Sequence, residues 1–133
     1  MMQAALDFEE YTADQVRTAT SFKVARDMII ANFNSPRVGK LWLVRGLLAI
    51  YARQTADEKS YRETVDDNGV GFSSVDARIL SSLAQQVIRF NNGQSSFSSP
   101  LSSRQFDVLR QRLPKYAMQL AHIARKPRAA ATV

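Results

Sequence analysis

The chain has 133 residues, 45% of them hydrophobic, which suffices for one core of ordinary size and fits a single domain. It has no cysteine and a single histidine, His122, so disulfides, thiolate metal sites and His-rich zinc sites are excluded. The net charge is +6, and its location is more telling than its size: residues 1–99 balance, whereas residues 100–133 carry seven basic residues against Asp107 alone. A one-ended excess of this kind points to a polyanionic partner, nucleic acid first and a membrane surface or an acidic protein last, with a basic tail that only aids solubility as the plain alternative between them.

The opening MMQAALDFEE is acidic and lacks the basic-then-apolar order of a leader peptide. The longest apolar run, Leu41 to Tyr51, is too short to span a bilayer and is interrupted by Arg45. A soluble, cytoplasmic protein without a membrane partner is the expectation. Residues 1–10 are expected to be frayed or loosely docked. Thr12 or Asp14 starts a helix predicted to run to about Phe33, with Tyr11, Phe22, Ile29 and Phe33 along one side as core residues. Asn34 and Ser35 break it, and Ser35–Pro36 restarts the chain with serine as N-cap and proline in the first helical turn.

The helix that follows, VGKLWLVRGLLAIYARQ, is apolar almost all round and reads as the central core helix. Gly39, Gly46, Ala49 and Ala52 leave it thin enough for another backbone to approach. Lys40, Arg45 and Arg53 are its charged exceptions, either ordinary surface charges or phosphate-facing groups. In RQTADE, Thr55 with Glu58 forms a second capping pattern, or the acids pair with nearby bases. Asn68–Gly69 is a turn signal of the type I′ hairpin, so a short β-hairpin near Asn68 is the one candidate for strand structure. NGVGF, Asn68 to Phe72, has neither the third glycine of a dinucleotide fingerprint nor the Gly-Lys-Ser/Thr of a P-loop. Its N–H groups suit a tight turn, or a turn against a nucleic-acid backbone.

Ser73 with Asp76 opens the next helix, with Val75, Ile79, Leu83, Val87 and Phe90 expected on its buried side and an end at Asn91–Asn92–Gly93. Asp76 reads as first-turn helix chemistry. QSSFSSP is a polar loop that Phe97 could pin. Ser102 with Gln105 is a capping box for the closing stretch. There Phe106, Leu109, Leu113, Tyr116, Leu120, Ile123 and Ala124 share one arc, while Arg104, Gln111, Arg112, Lys115, Gln119, His122 and Lys126 share another that has no carboxylate. Pro114 removes an N–H and clashes with the preceding turn, so it should bend or split this helix while the apolar register continues. Placed away from the apolar stripe, Arg104, Arg112 and Lys115 should be replaceable by glutamine without cost to the fold. RKPRAAATV has nothing to pack, which predicts a disordered basic tail over 125–133 behind a domain over 1–124.

No nucleophile–base arrangement can be built without leaning on His122 alone, whose place near a helix C-terminus suits a cation. Asp57, Glu58, Asp66, Asp67 and Asp76 have no spacing that demands a metal. A non-enzymatic protein without cofactor or metal is expected.

At RQTADE, at NGVGF followed by Asp76–Ala77, and at SSRQ…RQRLPKYAMQL, the chain resembles the replicative double-stranded-DNA-binding proteins of tailed bacteriophages. The resemblance covers roughly residues 41–125 and departs from the pattern in the long serine-rich loop before Pro100. It implies a compact helical domain that coats duplex DNA with little sequence preference during phage genome replication in the host cytoplasm, beside neighbouring copies of itself. On the matching positions it makes Arg53, Gln54, Asn68, Gly69, Gly71, Gln105 and Lys115 candidates for backbone contact.

The fold expected is all-α or nearly so: four main helices, the last broken at Pro114. The function expected is duplex binding through phosphates, with Arg104, Arg112 and Lys115 supplying charge and the Asn68–Gly71 turn supplying N–H donors. Two other readings stand beside it. One is a phage protein that inhibits or redirects a host protein, its basic face on an acidic surface. The other is a helix-turn-helix regulator, for which proline at the turn is a poor start to a recognition helix.

Overall fold

The structure, a computed structural model, describes residues 10–60 and 71–125, with residues 56–60 described as backbone only. The domain is helical, and among the described residues there is no strand. In chain order the elements are α1 (Ala13–Arg17), α2 (Phe22–Phe33), α3 (Gly39–Ser60), α4 (Ser74–Asn91), α5 (Ser103–Arg112), a 3₁₀ turn (Leu113–Tyr116) and α6 (Ala117–Arg125). The hairpin expected at Asn68–Gly69 and the tail over 126–133 lie outside the described residues.

The first helix is two helices. Thr12 caps α1 in a capping box with Gln15. At its other end Thr18 turns both its N–H and its hydroxyl onto the Asp14 carbonyl. Ser21 then caps α2 by accepting from the Val24 N–H. The split rotates Phe22 out of the core: it is exposed and stacks on His122 with ring centroids 4.0 Å apart.

Ser35 behaves as the sequence predicts. Its hydroxyl accepts from the Arg37 and Val38 N–H groups, and the Pro36 turn runs into α3. α3 is the centre of the domain, with Leu43, Leu47 and Ile50 wholly buried and contacts to α2, α4, α5 and α6. Close approach occurs at Gly39, where a β-carbon would stand 2.8 Å from the Phe33 carbonyl oxygen. Thr55 starts no new helix. Its hydroxyl bonds back to the Tyr51 and Ala52 carbonyls, and α3 continues through it to Ser60.

The phase of α4 differs from expectation. Its buried side is Asp76, Leu80, Leu83, Ala84 and Val87, whereas Val75 is 79% exposed and Ile79 40% exposed. Phe97 does not pin the serine-rich loop; it too is largely exposed. The capping box at Ser102 and Gln105 is formed, and α5 ends at Arg112. Pro114 converts the next four residues to a 3₁₀ turn, a form that tolerates its missing N–H. Leu113, Tyr116, Ala117 and Leu120 stay buried across the break. Arg125, assigned above to the tail, closes α6 with its guanidinium 4.4 Å from the centre of the Phe22 ring.

Polar side chains fasten the irregular segments. Asn32, fully buried, exchanges two hydrogen bonds with the Tyr11 backbone, at 2.8 and 2.9 Å. Gln119 does the same for Gly71, accepting its N–H at 3.1 Å and donating to its carbonyl at 2.9 Å. Gln54 accepts the Phe72 N–H at 2.8 Å. Gly71 has φ +83°, and a β-carbon there would meet Gln54 Cβ at 2.7 Å and Cα at 2.9 Å. Gly71→Ala is therefore expected to lose about 2 kcal/mol by urea denaturation, from left-handed strain and displacement of the Gln54 bracket.

Candidate nucleic-acid interface

The site is built around Asp76. It stands in the first turn of α4, in register with Leu80, Leu83 and Val87, so the spacing that buries those side chains buries the carboxylate too. An ionised carboxylate without water needs partners, and the Pro114 break supplies them. Arg112 ends α5, while Lys115 and Tyr116 lie on the 3₁₀ turn.

Arg112 Nη1 donates to Asp76 Oδ1 at 2.7 Å. Lys115 Nζ is 2.6 Å from Oδ2. The Tyr116 hydroxyl donates to Oδ2 at 2.6 Å, and Tyr116 in turn accepts the Ser73 N–H at 3.0 Å. The Ser73 hydroxyl completes the group, 3.1 Å from the Tyr116 oxygen and 3.4 Å from Oδ2.

Burial pushes the Asp76 carboxyl upward, but the bonds from Lys115, Tyr116 and Arg112 outweigh it and hold the pKa at about 2, against an ordinary 3.8. The same bond to Asp76 raises Lys115. Burial and then the Asp76 bond raise Tyr116. At neutral pH the group is one carboxylate under two cations, a net +1. The carboxylate is wholly buried, while the Arg112 and Lys115 side chains keep 41% and 53% of their surface exposed. Both cations are therefore fixed in place and still face solvent.

This corrects the expectation that Arg112 and Lys115 are free of structural duty. Glutamine at both would leave a buried carboxylate without a cation. Arg104 differs: it is exposed in the first turn of α5 and forms no ion pair among the described residues. Lys40 places its ammonium 5.2 Å over the ring of Phe106, which lies on α5 within a turn of Arg104. Arg53 is half-buried on α3 and forms no ion pair among the described residues.

Gln105, Gln54 and Gly71 are occupied within the domain. Gln105 exchanges hydrogen bonds with Gln86 at 2.9 and 3.1 Å besides capping α5. The Gly71 N–H goes to Gln119, so it is not a donor held open for phosphate. Asn68 and Gly69 lie outside the described residues. α6 has only His122 exposed and packs on α1 and α2.

Among the described residues, no three His, Asp or Glu side chains gather as a metal site, and no helix is long and apolar enough to cross a membrane. Compared with known proteins, the chain matches no family model, no curated sequence and no solved structure.

Proposed function

We propose that this protein binds double-stranded DNA with little sequence preference, as a coat and not as an enzyme. The observation that carries the reading is the pair of cations on Asp76: Arg112 and Lys115 are immobilised by a buried carboxylate yet half-exposed, and they outnumber it two to one. Cations held in place lose less side-chain freedom on meeting a phosphate than free ones do. Arg104, on the helix that leads into the pair, extends the positive surface. Phosphate contacts carry no base identity, so weak sequence preference follows. The one-ended charge excess and the resemblance of the RQTADE, NGVGF and RQRLPKYAMQL segments to phage replicative coat proteins support the same reading.

A mobility shift with two unrelated duplexes of equal length and matched composition tests it. They are expected to bind within a few-fold of each other and to weaken together as salt rises. A preference of about a thousand-fold for one natural sequence would replace the coat with a regulator.

A second reading rests on Val75 and Ile79, exposed one turn apart on the helix that carries Asp76. Apolar residues beside paired cations suit an acidic protein surface. Absence of duplex binding at low salt would favour it.

A further inference from the structure

A cleft of about 480 Å³ opens between α1, α2, α3 and α6, and it shares no residue with the Asp76 group. Its wall is apolar: Val16, Ile29, Phe33, Trp42, Leu120 and Ile123. Two cations also line it. Arg17 is neutralised by Asp14 beside it. Arg45 is exposed, has no carboxylate partner among the described residues, and rests its guanidinium 5.5 Å over the Trp42 ring. The lining thus carries one unbalanced positive charge beside an aromatic face, above a floor that includes the fully buried Ile29 and Phe33. Pockets of this size that bury an apolar body and fix it by few polar groups are the usual form of small-molecule sites.

We infer that the cleft binds an amphipathic carboxylate: a medium-length aliphatic chain lying on the partly exposed Trp42, Ala49 and Ile123, with its head group on Arg45. The charge decides the class. A neutral apolar ligand would leave Arg45 unused, and a polyanion such as a nucleotide would find no second unpaired cation in the lining. The inference is independent of DNA binding, since neither Trp42 nor Arg45 belongs to the proposed interface.

Trp42 is the only tryptophan of the chain, so its fluorescence reports on this cleft alone. Titrating the full chain with sodium decanoate below its micellar range is expected to change Trp42 emission saturably. A dissociation constant below about 1 mM is within ordinary efficiency for a ligand of this size. Decanol should bind more weakly. Arg45→Gln should weaken decanoate about tenfold, by loss of a charge-assisted contact. Ala49→Phe, which fills the cleft from α3, should abolish binding, while Arg78→Gln, at an exposed position of α4, should leave it unchanged. An absence of saturable change, or equal weakening by Arg78→Gln and Arg45→Gln, would overturn the inference. So would an emission change that follows protein concentration and not decanoate, which would give the cleft to a second copy of the chain.

Discussion

Asp76→Asn is expected to cost about 3 kcal/mol of folding stability at neutral pH, the low end for breaking a buried ion pair. The low end applies because Arg112 and Lys115 are half-exposed and can turn to water when the carboxylate is lost. Tyr116 cannot: it is buried, and in the variant its hydroxyl keeps only the new carboxamide oxygen and Ser73 as partners. The size of the loss also depends on pH in a stated direction. A carboxyl whose pKa is depressed by folding stabilises the native state above its ordinary value and loses that contribution as pH falls through its folded value. With 3.8 ordinarily and about 2 in the fold, the wild-type contribution is complete above about pH 4 and disappears as pH falls through about 2. It amounts to about 2 kcal/mol. Urea denaturation of wild type and variant at pH 7 should differ by about 3 kcal/mol, and the difference should narrow by about 2 kcal/mol near pH 2. Equal stability at pH 7, or a difference indifferent to acid, would show that the carboxylate does not bind its cations in solution.

Asp76 also marks where the sequence was legible and where it was not. Local chemistry could be read directly: the capping box at Ser102 and Gln105, the Ser35–Pro36 restart and the Pro114 break depend on residues within one turn of each other. The apolar arc of the closing stretch was legible too, because Phe106, Leu109, Leu113, Tyr116 and Leu120 are all buried. α4 was harder. Its apolar residues spread over a wide arc, and an inner edge at Val75 and Ile79 is turned about the helix axis from the buried side at Asp76, Leu80, Leu83 and Val87. The positions 76, 80, 83 and 87 follow helical spacing equally well, with an acid at the first of them. That placement implies a buried charge and hence a cation from another element, and the closing stretch holds cations on its polar arc. The signal was present but outweighed by the ordinary preference for hydrophobic residues inside. Gln54, Gln105 and Gln119 illustrate a different limit. None of their long-range partners shows in a one-dimensional pattern, yet each is committed to backbone or side-chain groups many positions away. Long-range amide pairing of this kind leaves no periodic trace.

Duplex affinity should follow the charge of the Asp76 group through a four-member series. Wild type carries a local +1 from Arg112, Lys115 and Asp76. Asp76→Asn alone raises it to +2. Arg112→Gln with Lys115→Gln lowers it to −1. All three changes together give 0. If this surface meets the DNA backbone, the slope of log K against log salt should steepen or flatten by about 0.9 for each phosphate gained or lost. Affinity at low salt should then rank Asp76→Asn, wild type, the triple variant and the double variant, in that order and on every duplex alike. The series separates charge from fold. Asp76→Asn is destabilised and frees its two cations, yet the added unit of charge outweighs the lost immobilisation and tighter binding is expected, whereas the triple variant has lost both the buried charge and its partners and binds more weakly than wild type. A folding defect would weaken both, so opposite signs cannot come from instability. Arg104→Gln, on an exposed residue without an ion pair among the described ones, should remove a further step of about 0.9 from the slope at no cost in melting temperature. Titrations run well below the melting point of each variant, with helicity checked by circular dichroism, give the slopes. If all four slopes coincide while the duplex is still bound, the Asp76 cations take no part in binding, and Lys40 and Arg53 become the next positions to change.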